Sequence, residues 1–205
     1  MLRLVLVRHG ETDWTRQGRF HGLTDVELSV AGRQQAECAA LALRSMPIAA
    51  VYSSPLRRAL VTGSVIASCC CVIIETDHGL VELDEGVLDG LTYLEMKTRY
   101  ASFLAEWKRD AANARLPGGE CLWALQERAW ASVQRMMARH TCGNVVIVSH
   151  YFALCSIICK SLDIDLALFR KLRLDAGSIS ILGFSGRKCV LELLNDTCHF
   201  ALCNV

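Results

Sequence analysis

The feature that most constrains the fold is the run Leu4-Val5-Leu6-Val7, which stops abruptly at Arg8-His9-Gly10-Glu11-Thr12. A short apolar run of this kind reads as a buried strand, and such a strand ordinarily ends in a turn residue or a cap. This one ends in a fixed cation beside an imidazole, followed by a glycine free to bend the backbone away. Leaving those groups at a strand end costs stability unless an anion is meant to sit there. In open α/β sheets, the carboxyl ends of the strands are where ligands bind.

Runs rich in Val and Ile recur at 2–7, 48–52, 72–74, 145–148, 178–184 and 188–194, and each is expected to be a strand. Helical patterns lie between them: one capped by Ser29 and running to about 43, one over 56–67, one over 119–139, and an apolar one over 151–162. Strands alternating with helices predict an α/β three-layer sandwich, a mostly parallel sheet with helices on both faces. The last two runs, joined by Ser185-Gly186-Arg187, read as a hairpin and give the sheet an antiparallel edge. The stretch at about 90–116 has no clear strand and reads as a helical cap excursion over the sheet. Its aromatic residues Tyr93, Tyr100, Phe103 and Trp107 suit a roof over a pocket, although at near-helical spacing they read first as core.

Composition narrows the classes. A chain of 205 residues is most economically one domain, 1–205. A net charge of +1 leaves no electrostatic footprint for nucleic acid. The apolar runs fall short of the roughly 20 residues that a membrane span needs. Met1 leads almost directly into the first strand, which leaves no room for a signal peptide, so a cytoplasmic location is expected. The eleven cysteines include no C-x-x-C pair; Cys69, Cys70 and Cys71 are consecutive, and Cys38, Cys155, Cys159 and Cys189 lie in apolar runs. They read as small hydrophobes in a reducing compartment rather than as metal ligands. No metal ion and no cofactor is expected.

Three more strand ends resemble the first. The run 145–148 ends in Ser149-His150 and passes straight into a helix, whose orphan amides are expected to face the ligand crevice. The run 48–52 leads into Ser53-Ser54-Pro55-Leu56-Arg57-Arg58-Ala59, and the third strand is followed by the acidic cluster Glu82-Leu83-Asp84-Glu85. If the strands are parallel, Arg8, His9, Arg58, His150 and Glu82 converge. Two guanidiniums match phosphate oxygens, a neutral imidazole can attack phosphorus, and a second imidazole, when protonated, adds a charged donor. A carboxyl at the rim can protonate the leaving oxygen and then activate water. The chemistry that follows is metal-independent phosphoryl transfer through phosphohistidine.

These motifs resemble the histidine phosphatase superfamily, also called the phosphoglycerate mutase-like family. The likeness rests on Leu6-Val7-Arg8-His9-Gly10-Glu11-Thr12, Gly22-Leu23-Thr24-Asp25 with Leu28-Ser29, and Ser54-x-Leu56-x-Arg58-Ala59. It continues through Glu82 before Gly86 and Gly90, Pro117-Gly118-Gly119-Glu120, and Ser149-His150. The resemblance implies His9 as nucleophile, Arg8, Arg58 and His150 as phosphoryl-binding residues, and Glu82 as acid and then base. Arg57 is then a surface or rim residue, while Asp84, Glu85 and Asp89 remain near enough to compete with Glu82. Thr15 stands where many relatives carry a phosphate-contacting asparagine, and Tyr151 where glycine is usual; both are candidate substrate contacts.

The segment Glu82-Leu83-Asp84-Glu85-Gly86 is similar to the E-x-x-x-G pattern of the phosphatase branch rather than the E-R-H-Y-G of the mutases. The expected partner is a small-molecule phosphate ester, with α-ribazole 5′-phosphate as the leading substrate, and no nucleic acid or membrane. A homodimer stays open. The alternatives are a broad-specificity sugar or amino-acid phosphate phosphatase, a cofactor-dependent phosphoglycerate mutase, and a non-catalytic phospholigand-binding module. The module is disfavoured because His9 and Glu82 are both present.

Overall fold

In the computed structural model, which describes residues 1–186 and 188–203, alternate side chains of the first strand enter two different cores. Leu2, Leu4 and Leu6 pack into one, Val5 and Val7 into the other, so a strand with period-two geometry carries an unbroken apolar sequence. The strands are β1 (Leu2–Arg8), β2 (Ile48–Ser53), β3 (Ile74–Thr76), β4 (Gly143–Ser149), β5 (Ile179–Ser185) and β6 (Lys188–Asp196). The α-helices are α1 (Asp13–Arg16), α2 (Val30–Leu43), α3 (Arg57–Cys69), α4 (Tyr93–Arg99), α5 (Ala101–Arg109), α6 (Leu122–Arg139) and α7 (Tyr151–Ser161).

The six-stranded sheet runs β3-β2-β4-β1-β5-β6. Pairs β1–β4, β2–β4 and β2–β3 are parallel, whereas β5 lies antiparallel between β1 and β6, which forms the expected antiparallel edge. Within the expected hairpin turn, Arg187 lies outside the described residues. Helices α2 and α3 cover one face through Ala39, Leu43, Ala59 and Ile66, and α6 and α7 cover the other through Leu125, Val133, Leu154 and Ile158. Helices α4 and α5 occupy the expected excursion.

Several boundaries differ from the sequence reading, two of them at turns. Helix α3 continues to Cys69 and the chain turns through Cys71 at φ 55°, so β3 starts at Ile74, opposite Val51, instead of at 72. Helix α6 starts at Leu122 because residues 117–120 are spent on a turn in which the Gly119 amide donates to the Leu116 carbonyl. As the reading of cysteines as small hydrophobes expects, Cys155 and Cys159 are buried free thiols; Cys69, Cys70 and Cys189 are free and half-buried, and Cys71 is free and exposed. Cys38, buried on α2, departs from it and is disulfide-bonded. Among the described residues, no helix is long and apolar enough to cross a membrane.

The register brings the site together. Arg8 pairs with Ser149 and Ser53 with Val148, so the carboxyl ends of β1, β4 and β2 finish side by side. Beyond Arg8 the chain turns under the start of α2, where Gly10 meets the Gly32 carbonyl and Gly32 meets the Glu11 carbonyl so closely that neither has room for a Cβ. Glu11 accepts the hydroxyl proton of Ser29, the residue that caps α2 (2.8 Å). The glycines and Glu11 of the first motif thus dock the β1 turn onto α2 and leave Arg8 and His9 aimed at the crevice.

Candidate active site

Three strand ends are stitched by the backbone: the His9 amide donates to the Ser149 carbonyl and the Ser54 amide to the Val148 carbonyl, both at 3.0 Å. The rings of His9 and His150 consequently lie 5.1 Å apart. Arg8, His9, Thr15, Glu82 and Tyr151 line one cavity of about 270 Å³. Arg58 and His150 are fully buried and bonded to each other close to His9 without forming part of that lining. The structure thus gathers all seven predicted site residues in one region.

Hydrogen bonds fix the protonation pattern. His9 Nδ1 lies 2.7 Å from the Gly10 carbonyl, an acceptor only, so that nitrogen carries the proton and Nε2 is left bare. Arg58 Nε donates to His150 Nδ1 at 3.1 Å; an arginine has only donors, so the proton of His150 sits on Nε2 and is given to Ser54 Oγ at 2.8 Å. Burial, followed by the neighbouring Arg58, holds both imidazoles well below the ordinary histidine value, and both are neutral. The charged donor expected of His150 is therefore not its resting form in these surroundings.

Arg58 is spent on more than His150. Its Nη1 donates to the Thr24 carbonyl and its Nη2 to the Gly22 carbonyl, at 2.9 and 2.7 Å. Burial lowers it to about 10, which still leaves it charged at neutral pH. Arg8 donates from Nη1 to the Leu174 carbonyl (2.7 Å) and lies 5.5 Å from the Tyr151 ring centroid, while its Nε is buried without a partner. Arg57 points away, 62% exposed, and pairs with Glu27.

Glu82 has a second task. His150 occupies the N-cap of α7 but makes no cap bond with its side chain, so the first amides of that helix need another acceptor. Glu82 supplies it: Oε2 accepts from the Phe152 amide (3.1 Å) and Oε1 from those of Ala153 (3.2 Å) and Leu83 (2.9 Å). The amides expected to face the crevice are therefore turned onto this carboxyl. Burial pushes the Glu82 carboxyl up from its ordinary range, against those amides and the two arginines. Arg128 holds the segment in place, donating to the carbonyls of Gly79, Val81 and Glu82 and to the Glu120 carboxylate.

The competing acids separate by contact. Asp89 clamps the loop that carries the Arg58 acceptors, taking the amides of Gly22 and Thr24. Asp84 Oδ1 accepts from the Gly86 amide. Glu85 is different: it is 3% exposed, its Oε2 is buried without a partner, and burial followed by nearby Glu82 raises it well above the carboxylate range.

Thr15 lines the cavity, but its hydroxyl is engaged with Thr12 in the capping box of α1 (3.0 Å). Tyr151 also lines it, with its hydroxyl donating to the Leu172 carbonyl (3.1 Å), so it offers a ring face and a support for Arg8. His21 was missed in the sequence: its ring lies 5.6 Å from that of His9, and burial followed by Arg58 lowers it to about 4. The sequence signal was its place next to Gly22, in a segment that also supplies the carbonyl acceptors of Arg58.

A second cavity of about 330 Å³ adjoins the first, sharing Phe20, Glu85, Tyr151 and Phe152 with it. Tyr93, Phe103 and Trp107 line it, Phe103 and Trp107 while also packing in the core and Tyr93 while half exposed; Tyr100 packs against the core alone. Lys108 and Arg170 also line this chamber.

Comparison with known proteins bears on the family and the fold. Phosphoserine phosphatase 1 of Hydrogenobacter thermophilus is 32% identical over 199 residues, 97% of this chain and 94% of that protein. The probable phosphoglycerate mutase GpmB of Salmonella choleraesuis is 33% identical over 211 residues, covering 97% and 95%. Among solved structures, a mutant phosphoserine phosphatase of Entamoeba histolytica in complex with phosphoserine superimposes with a TM-score of 0.87 at 26% identity, covering 97% of this chain and 99% of that one. The α-ribazole phosphatase of Shigella flexneri gives 0.86 at 25%, covering 95% and 96%. The family model of the histidine phosphatase superfamily, branch 1, matches residues 4–197, and the chain belongs to that family.

Proposed function

We propose that this chain is a phosphoric monoester hydrolase that works through a phosphohistidine on His9. The observation that carries the reading is the bare Nε2 of a neutral, buried His9 whose other nitrogen is tied to the Gly10 carbonyl, beside Arg8 and Arg58. Nε2 attacks phosphorus, the P–N bond forms as the ester P–O bond breaks, and the leaving oxygen takes a proton from Glu82. Water then attacks the phosphoryl group, giving its proton to the Glu82 carboxylate, and inorganic phosphate leaves His9 free. The raised Glu82 suits it to hold that proton. Arg8 and Arg58 offset the charge on the phosphoryl oxygens as the chain's own cations, and the neutral His150 lies beside them, held by Arg58 and Ser54.

The leaving group is read as one with an apolar body, with α-ribazole 5′-phosphate as the leading substrate. Support comes from the adjoining chamber, walled by Phe103, Trp107, Phe152 and Phe169. A second reading, phosphoserine, draws support from the 32% identical relative of that name. Hydrolysis of p-nitrophenyl phosphate in EDTA tests the activity, and a panel of α-ribazole 5′-phosphate, phosphoserine and 3-phosphoglycerate tests the substrate. The expected outcome is phosphate release with the highest kcat/KM on the ribazole ester. A preference for phosphoserine overturns the substrate, and conversion of 3-phosphoglycerate to its 2-isomer without free phosphate overturns the hydrolase.

A further inference from the structure

Besides Arg8, whose unpartnered Nε belongs to a residue the scheme uses, two side chains lining the catalytic cavity hold a polar atom that is buried with no partner among the described residues: His21 at Nε2 and Glu85 at Oε2. Neither has a task in the scheme above. They belong to touching segments, because a Cβ on Gly22, next to His21, would meet the Glu85 amide nitrogen at 2.9 Å and its Cγ at 3.1 Å. Glu85 also borders the apolar chamber, whereas His21 borders only the catalytic cavity. The pair therefore stands where the phosphoryl pocket opens into the chamber.

We propose that His21 and Glu85 form a subsite for the hydroxyl groups of a sugar-like leaving group, whose apolar body lies in the adjoining chamber. The proposal rests on the phosphatase reading and specifies its substrate class. The His21 ring, lowered to about 4 by burial followed by Arg58, is neutral at neutral pH, so its unpartnered Nε2 can meet a hydroxyl without adding charge. Glu85 faces Glu82, Asp84 and Asp89 as well as Arg58, and among them it is held protonated, a group able to donate and accept. An anionic group on the leaving portion would meet these carboxyls, and a cationic one would meet Arg8 and Arg58. A neutral hydroxyl satisfies both unpartnered atoms without adding charge, and a buried polar group left unpaired penalises any ligand that lacks the hydroxyl.

The test compares benzimidazole riboside 5′-phosphate with its 2′,3′-dideoxy counterpart, using p-nitrophenyl phosphate as the reference ester. Wild type is expected to favour the ribo form by about tenfold or more in kcat/KM. That ratio falls toward one in Glu85→Leu and in His21→Phe, and stays several-fold in the isosteric Glu85→Gln. Two separate positions keep the test decisive if one variant fails to fold. A wild-type ratio near one, or a full preference retained in both apolar variants, overturns the subsite. Hydrolysis of p-nitrophenyl phosphate but of neither riboside overturns the subsite and leaves the phosphatase standing. No hydrolysis of any ester overturns the phosphatase reading, and the subsite with it.

Discussion

Arg58 donates from Nε to Nδ1 of His150 at 3.1 Å, and this one bond sets the protonation of the second imidazole. With Nδ1 occupied as an acceptor, the Nε2 proton is passed to Ser54 Oγ at 2.8 Å, and the three groups form a buried relay close to His9. Ser54→Ala removes the acceptor and leaves a buried N–H unpaired, a loss of about 1–3 kcal/mol in urea denaturation. A neutral His150 with a freed ring is also expected to lower kcat/KM by about tenfold, at one decade per 1.4 kcal/mol. Unchanged stability and unchanged kinetics would show that the relay does not hold the ring.

Arg128 never reaches the cavity, yet it collects the carbonyls of Gly79, Val81 and Glu82. Arg128→Leu is expected to cost about 3 kcal/mol by leaving those carbonyls without their donor. It also frees the Glu82 segment, so kcat falls while KM for p-nitrophenyl phosphate moves little, and the pH profile of kcat shifts with the altered Glu82. Arg128→Lys restores part of kcat. An effect confined to stability, with the pH profile unmoved, would mean that Glu82 is placed by other contacts.

Folding stability depends on pH with a definite sign. His9, His21 and His150 all titrate below the ordinary 6.5 in the folded chain, His21 at about 4. As the pH falls below about 6.5, the unfolded chain takes up protons that the folded one refuses, so stability is lost at about 1.4 kcal/mol per pH unit for each histidine. Glu82 and Glu85, raised by burial, act the opposite way: what they contribute is present below the ordinary 4.5 and is lost as pH rises through their folded values. Tm is therefore expected to drop between about pH 7 and about pH 5, and the drop steepens in Glu85→Gln, which is also more stable than wild type at neutral pH. A Tm that rises on acidification over this range contradicts the neutral histidine cluster.

How far the sequence could be read follows from which groups depend on local pattern. Arg8, His9 and His150 sit where apolar runs stop, and parallel pairing carries them to one edge, so their meeting was legible. Choosing Arg58 over Arg57 needed the family motif: only the helix phase leaves the first fully buried and the second 62% exposed. His21 and Glu85 were not legible as a pair, because their burial depends on contacts between the Gly22 and Glu85 segments, distant in sequence. The cap that Glu82 provides for α7 is equally non-local, spanning 70 positions to Phe152. The reading of the roof aromatics as core first holds for Tyr100, Phe103 and Trp107, but near-helical spacing could not show that Tyr93, Phe103 and Trp107 also wall a chamber.

The central claim is that the phosphoryl group passes through His9. The direct measurement is mass spectrometry of protein quenched in alkali during turnover of p-nitrophenyl phosphate, where phosphohistidine survives. One phosphoryl group on His9 is predicted, accumulating in Glu82→Gln because its hydrolysis slows, and absent from His9→Ala together with turnover. A phosphoryl group on any other residue, or turnover persisting in folded His9→Ala, would contradict the account.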